Sequence, residues 1–299
     1  MDTLIGYLAP DGFLPQLLEE LGGQTIETHG RLVLASKPPA PVAWVANRWL
    51  SPQRIEIASI GDAAKKLRAI QRNWMLYPHA HHRRAALIEA KLPAVSAKPF
   101  VFGNAAPQSP LGSWMLLEPS IMLASAHCSS PFAHGEPNFV EDREAPPSRA
   151  YLKLWEVFTL LGIKPVRGDV CLDLGSSPGG WTWVLQSLGA SVISVDKAPL
   201  DSRVAGLPNV EHRLESAFAL GPSELGPVDW LFCDVICYPA RLLALVRKWL
   251  AAGTVRRFVC TIKFQGATDT ETARAFAAIP GAKLMHLSNN KHELTWVLS

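Results

Sequence analysis

Hydrophobic positions are spaced differently in the two halves of the chain, and the change falls near residue 150. Downstream of it, apolar runs of strand length alternate with longer stretches of helical spacing. Residues 169–174, 191–196, 210–214, 229–234 and 257–263 read as strands, and residues 181–188, 240–250 and 271–279 as helices between them. Such alternation implies crossover helices covering both faces of a mostly parallel sheet. Residues 282–287 and 293–298 are separated only by Ser288, Asn289, Asn290, Lys291 and His292. That connection is too short for a crossover helix, so these two strands are expected to pair antiparallel as a hairpin.

The first half is less regular. Residues 4–8 and 31–35 read as strands, and 13–21 as a helix stopped by Gly22-Gly23, before Pro38, Pro39 and Pro41 interrupt the pattern. Residues 63–71 read as a helix and 113–126 as one or two strands. The stretch 128–148, rich in Ser, Pro, Gly and acids, reads as a linker. The expected class is α/β: a smaller N-terminal α+β domain over 1–127, then a Rossmann-like domain over 149–299 whose last strand is reversed.

Length and composition fit this plan. A chain of 299 residues, 48% of them hydrophobic, is long enough for two domains or one large one, and its apolar runs are too short to cross a bilayer. No charged segment followed by an apolar one opens the chain, where Met1 to Tyr7 leads into Pro10, Asp11 and Gly12, so the protein is expected to remain in the cytoplasm. The five cysteines are odd in number and mostly lie in apolar runs, which fits reduced core thiols. Cys233 and Cys237 have no second pair or nearby histidine to complete a metal site, and no metal is expected.

The net charge of +3 says little, but its distribution says more. No acid lies between Asp62 and Glu89, while Lys65, Lys66, Arg68, Arg72, Arg83 and Arg84 fall there, with His79, His81 and His82. Trp74 and Tyr77 lie in the same stretch. A one-signed basic segment carrying aromatics fits an RNA backbone with exposed bases. The competing reading is a solvated helix face with two core aromatics.

Asp173-Leu174-Gly175-Ser176-Ser177-Pro178-Gly179-Gly180-Trp181-Thr182 falls between a strand and a helix. Glycines there permit a tight turn and close approach to a ligand, and the helix that opens beyond it turns free N–H groups to the same crevice. Asp196 closes the next strand, where doubly wound sheets put the carboxylate that holds ribose hydroxyls. A dehydrogenase fingerprint needs a second glycine where Ser177 stands, so a dinucleotide is disfavoured. Asp234 and Lys263 end two further strands and should therefore face that crevice; Lys153 lies just before the first strand and Glu293 begins the last. Lys263 follows the apolar run Phe258-Val259-Cys260-Thr261-Ile262. A lysine drawn from water beside another ammonium gives up its proton more readily, so Lys263 is a candidate base.

These residues, with Lys153, Asp234, Lys263 and Glu293 in that order, resemble the FtsJ-like (RrmJ-type) RNA 2′-O-ribose methyltransferases and their Lys-Asp-Lys-Glu tetrad. The RlmM branch, which acts on a cytidine ribose of large-subunit ribosomal RNA, is the most similar. Residues 145–154, Ser130-Pro131-Phe132 with Gly135, and Cys233-Asp234-Val235 with Pro239-Ala240 carry that likeness, which extends over residues 113–299. A doubly wound sheet with one reversed strand is also the usual shape of a class I methyltransferase.

The resemblance implies S-adenosyl-L-methionine as cofactor and RNA as partner. Ser177, Pro178, Gly179 and Gly180 would wrap its methionine portion, with Gly175 and Trp181 also among the cofactor-binding residues; Asp196 would bind its ribose, and Asp234 would stand beside the methyl group. Lys263 would take the 2′-hydroxyl proton while Lys153 and Glu293 position the ribose. The branch has an acid for the adenine where this chain has Ser216, which leaves Glu215 or a backbone carbonyl for that contact. It also has a hydroxyl-bearing residue near Ala150. Family members carry a ferredoxin-like segment and an RNA-binding THUMP domain ahead of the catalytic part. Residues 9–13 and 47–49 are faintly similar to these, which implies a reduced RNA-docking domain. Transfer RNA or another structured RNA as the target, or a non-catalytic RNA-binding relative, are the alternative readings.

Overall fold

The computed structural model describes residues 4–36, 38, 40–95 and 98–299. Of the positions read above, Met1 and Pro39 lie outside them. The chain forms two compact units, Met1–Phe139 and Val140–Ser299.

The first unit runs β1 (Ile5–Leu8), α1 (Leu14–Leu21), β2 (Thr25–His29), β3 (Leu32–Ala35), β4 (Asn47–Trp49), β5 (Gln53–Glu56), α2 (Ile60–Ile70), β6 (Trp74–Leu76), α3 (His82–Glu89), β7 (Gly112–Glu118) and β8 (Ile121–Ser125). Its strands form two four-stranded sheets, ordered β2-β3-β1-β4 and β5-β8-β7-β6. Pairing is antiparallel except for β6 beside β7. Leu8, Leu32, Leu34 and Trp49 pack against Met115 and Leu123 between the sheets. The other face of the second sheet carries α2 and α3, through Ala63, Ala64 and Leu67 with Ala85 and Ile88. Helix α2 starts where Ser59 accepts the N–H of Asp62 at 3.1 Å, a side-chain cap on a free helix donor. Strands β2, β4, β5 and β6 and helix α3 were not among the expected elements: the strands are three to five residues long, too short for a period to register.

The second unit runs α4 (Tyr151–Leu161), β9 (Val170–Leu174), α5 (Gly180–Ser187), β10 (Ser191–Asp196), α6 (Ser202–Ala205), β11 (Val210–Leu214), β12 (Val228–Cys233), α7 (Pro239–Ala252), β13 (Val255–Lys263), α8 (Thr270–Ala277), β14 (Ala282–Met285) and β15 (Glu293–Leu298). The seven-stranded sheet has the order β11-β10-β9-β12-β13-β15-β14. β9 to β13 are parallel, and β15 runs against both β13 and β14, as the short connection required. Cys171, Leu172, Leu231, Phe232, Val259, Cys260 and Trp296 are essentially inaccessible. Burial is nearly continuous along β9, β12 and β15, because helices cover both faces of the sheet. Pro239 occupies the first turn of α7, and Gly253 ends that helix with φ 65°, a left-handed conformation that glycine adopts without a Cβ clash. Helix α4, which carries Lys153, was not expected. Its residues from Tyr151 to Phe158 are all buried, so it shows no polar face to reveal the helical period.

Candidate active site

The chain turns sharply after β9. Gly175 has φ +77°, and a Cβ there would lie 2.7 Å from the Val235 Cα, so the loops after β9 and β12 approach as closely as only glycine permits. The loop is held by hydrogen bonds from Gly175 N to Val195 O at 2.9 Å and from Asp234 N to Leu174 O at 3.2 Å. Gly179, with φ +112°, leads into α5, whose first turn has no side-chain cap. Apart from the Thr182 N–H, which is turned to the Asp173 carboxylate, its first N–H groups therefore remain available to an anionic ligand.

Asp196 stands at the end of β10 beside this turn. One carboxylate oxygen accepts the Ser177 N–H at 3.1 Å and the other the Ala198 N–H at 2.9 Å. Each oxygen retains a lone pair for a ligand hydroxyl. Ser177 Oγ donates to Pro199 O at 2.8 Å, fixing the turn from its outer side. Glu215 follows β11 and is half-buried, at the same edge of the sheet. The Trp181 ring does not line the turn. It is buried, edge-on to Phe232, and its N–H donates to Ala150 O at 2.9 Å. The apolar ring gains more from that core than from an open crevice, so only the backbone of Trp181 belongs to the turn.

Asp173, at the base of the same loop, is fully buried. One of its oxygens accepts the Thr182 hydroxyl at 2.7 Å, and the other is buried with no partner. Burial pushes its carboxyl up to about 7; the Thr182 bond opposes this, and the charges of Asp234 and Asp196 add to it.

Four side chains from distant parts of the sequence meet at the carboxyl ends of β12 and β13. Lys153 Nζ lies 2.6 Å from Glu293 Oε1 and 3.3 Å from Asp234 Oδ1. Lys263 Nζ lies 3.0 Å from that same Asp234 oxygen and donates to the Asp234 carbonyl at 2.5 Å. Sheet register explains one edge of the cluster, since Lys263 and Glu293 are directly paired across β13 and β15. Lys153 is added from α4. Burial alone would lower its pKa, but the charges of Asp234 and Glu293 more than offset this, and the ammonium is held above its ordinary value. Two lysines and two carboxylates thus form one connected cluster.

Cys233 and Cys237 are buried free thiols, and burial pushes both upward. Among the described residues no group of three or more His, Cys, Asp or Glu side chains is placed to hold a metal, and no helix is long and apolar enough to cross a membrane.

The basic stretch of the first unit divides by exposure. Lys65, Lys66, Arg68, Arg72 and Arg83 are exposed and Arg84 is half-buried. Lys66 pairs with Asp62 at 3.1 Å, and Arg68 donates to Lys91 O at 3.2 Å. Trp74 and Tyr77 are not available to stack on bases, contrary to the nucleic-acid reading of that stretch. Both are buried, Trp74 donating its indole N–H to Leu67 O at 2.9 Å and Tyr77 accepting the Arg31 N–H at 2.7 Å. The α2–α3 core takes up the Trp74 ring, and partners inside the fold satisfy the polar atoms of both residues.

Asp173 opens the motif read from the sequence but was given no role there, and Glu156 was not singled out. Asp173 had a signal, a carboxylate ending an apolar strand just before the glycine turn. Glu156 had a weaker one: an acid one turn beyond Lys153 in an otherwise apolar segment.

Residues 146–270 match the family described as FtsJ-like methyltransferase. The chain is 37% identical over 131 residues to the ribosomal RNA large subunit methyltransferase M of Halorhodospira halophila, an overlap covering 43% of this chain and 38% of that protein. It is 34% identical over 173 residues to the protein of the same name from Aromatoleum aromaticum, covering 52% of this chain and 46% of that one. The chain thus spans less than half the length of these curated relatives. Among solved structures, the fibrillarin pre-rRNA processing protein of Methanococcus jannaschii aligns with TM-score 0.37 and 18% identity over 45% of this chain and 68% of that one.

Proposed function

We propose that this chain, whose residues 146–270 form an FtsJ-like methyltransferase domain, transfers a methyl group from S-adenosyl-L-methionine to a ribose 2′-hydroxyl of RNA. Large-subunit ribosomal RNA is the proposed substrate and a cytidine the proposed target. The observation that carries this reading is the Lys153–Asp234–Lys263–Glu293 cluster, set beside a glycine turn whose helix N–H groups and Asp196 carboxylate suit a nucleoside bearing an amino-acid tail.

The turn and the cluster divide the work. Gly175, Ser177, Pro178, Gly179, Gly180 and the Trp181 backbone would hold the methionine portion of the cofactor, Asp196 its ribose hydroxyls, and Glu215 its adenine. The bound cofactor supplies an electrophilic methyl group on a sulfonium sulfur. Methyl transfer of this kind is one displacement, which needs alignment and a single proton acceptor. Lys263 Nζ, presented as the neutral amine, takes the proton of the 2′-hydroxyl while that oxygen gains the methyl group. Asp234 orients Lys263 through two contacts. Lys153, held charged by Asp234 and Glu293, is the less suited of the two lysines to act as base. It holds the Asp234 and Glu293 carboxylates in place beside the base. Lys65, Lys66, Arg68, Arg72, Arg83 and Arg84 would meet the RNA backbone through charge.

The test is transfer of labelled methyl groups from S-adenosyl-L-methionine into size-fractionated RNA and ribosomal particles, followed by alkaline hydrolysis. Label in large-subunit RNA, retained in an alkali-resistant dinucleotide that begins with a cytidine, is the expected result. Label in the transfer-RNA fraction would keep the chemistry and change the target; label in no fraction would remove the enzymatic reading.

A further inference from the structure

Glu156 is buried one turn along α4 from Lys153, and the chemistry above makes no use of it. Its carboxylate takes three hydrogen bonds from one residue: Ser288 N at 2.9 and 3.0 Å to its two oxygens, and Ser288 Oγ at 2.6 Å. Ser288 lies near the start of the connection between β14 and β15, and Glu293 is at its end. Residues three apart on a helix share a face, so α4 grips this connection at both ends, Glu156 at Ser288 and Lys153 at Glu293. Between them, Asn290 Nδ2 bonds the Glu293 carbonyl at 3.3 Å and Thr295 Oγ1 at 3.1 Å.

A buried carboxylate is an expensive tie. Burial pushes the Glu156 carboxyl up to about 7, even though hydrogen bonds from Ser288 and Asn289 pull it down. Apolar side chains of similar volume often hold a core as well as buried charge does, so stability alone is a weak reason for its presence. The placement of Glu293 supplies a better one. A shift of about 1 Å in a catalytic group is enough to cost a large factor in rate.

We propose that Glu156 is a positioning residue for methyl transfer: by anchoring Ser288 it fixes the entry to β15 and so holds Glu293 against Lys153. This rests on the function proposed above. Glu156→Gln keeps the size of the side chain and weakens the anchor, and Ser288→Ala removes only the hydroxyl bond. With the full chain, ribosomal RNA and S-adenosyl-L-methionine, kcat should fall about tenfold in Glu156→Gln and a few-fold in Ser288→Ala, on the scale of a misplaced catalytic group. In Glu156→Gln, KM for RNA and cofactor affinity should stay within about twofold, because the Glu156 side chain is buried away from solvent. In a Glu293→Gln background, where the positioned group has changed, Glu156→Gln should have little further effect on kcat. Unchanged kcat in both single variants overturns the proposal, and so does a kcat loss of equal size in the native and Glu293→Gln backgrounds, which marks Glu156 as structural only. Should Glu156→Gln not fold, Ser288→Ala decides alone: a kcat loss with unchanged KM supports the proposal, and native kcat overturns it. A native chain that methylates no RNA fails the proposed function instead, so the two failures are distinct.

Discussion

Lys153 Nζ lies 2.6 Å from a carboxylate oxygen of Glu293, and both side chains are largely withdrawn from water. With that ion pair formed, Asp234 bridges Lys153 to Lys263, and each member of the cluster has a separate, testable part.

Lys263→Ala should remove at least ~10²-fold of the methyl-transfer rate, the usual worth of a positioned base. Cofactor affinity should stay within a few-fold, since the glycine turn and Asp196 remain. Lys263→Arg should be nearly as inactive, because a guanidinium does not give up its proton in this range. Single-turnover kinetics on RNA separate the roles: substantial activity in the arginine variant would sink the assignment of Lys263 as base.

Asp196→Ala should weaken S-adenosyl-L-methionine binding by about tenfold or more, the worth of a charge-assisted hydrogen bond. Part of that loss will come from the turn itself, which the carboxylate holds through Ser177 N and Ala198 N. Calorimetric titration of the folded variant is the measurement, and native affinity would remove Asp196 from the cofactor site.

Reversing Arg72 and Arg83 to Glu should weaken RNA binding and flatten its dependence on salt, with cofactor affinity unchanged. These two are exposed, whereas Arg84 is half-buried with its Nε inaccessible, so reversing Arg84 would test folding as much as binding. A salt slope identical to that of the native chain would leave α2 and α3 as a solvated face.

Asp173 should make the second unit less stable as pH rises from about 4 toward 7. Its folded pKa, about 7, stands above the value of an unfolded aspartate, so in that window the folded state binds the extra proton. Stability then falls by up to ~1.4 kcal/mol per pH unit for this group and levels off above its folded pKa. Asp173→Asn, which keeps the bond from Thr182, should flatten that slope in thermal melts taken across the window. A slope equal to the native one would show that Asp173 titrates normally.

Lys153 acts at the other end of the pH scale. Its folded pKa is raised above the ordinary lysine value, so its contribution is complete at neutral pH and is lost as pH climbs through that raised value. Lys153→Met leaves Glu293 without its nearest cation and should destabilise the chain at pH 7 by about 3 kcal/mol, as breaking a buried pair does. Chemical denaturation at pH 7 measures this, and a loss below about 0.5 kcal/mol would mean water replaces the ammonium without penalty.

What the sequence determined by itself was chiefly the second unit. Strands such as β9, β12 and β13 are largely apolar runs, and β14 and β15 are too close in sequence for a crossover; both signals are local, and both survived folding. The glycine turn with Asp196, and Asp234 and Lys263 at strand ends, were legible for the same reason, since a parallel sheet sends strand ends to one edge. Tertiary structure decided the rest. Helix α4 is buried on every side from Tyr151 to Phe158, so no polar face betrays its period, yet it delivers both Lys153 and Glu156. Trp74 and Tyr77 looked like a stacking surface within a basic stretch, and the fold turned both inward, Trp74 into the core under α2 and α3 and Tyr77 into the core between the two sheets. The short strands of the first unit exist only as pairs, because hydrogen bonds to a neighbour hold three residues extended where their own sequence does not. A contact between residues far apart along the chain depends on register and packing, and periodicity along one segment carries no information about either.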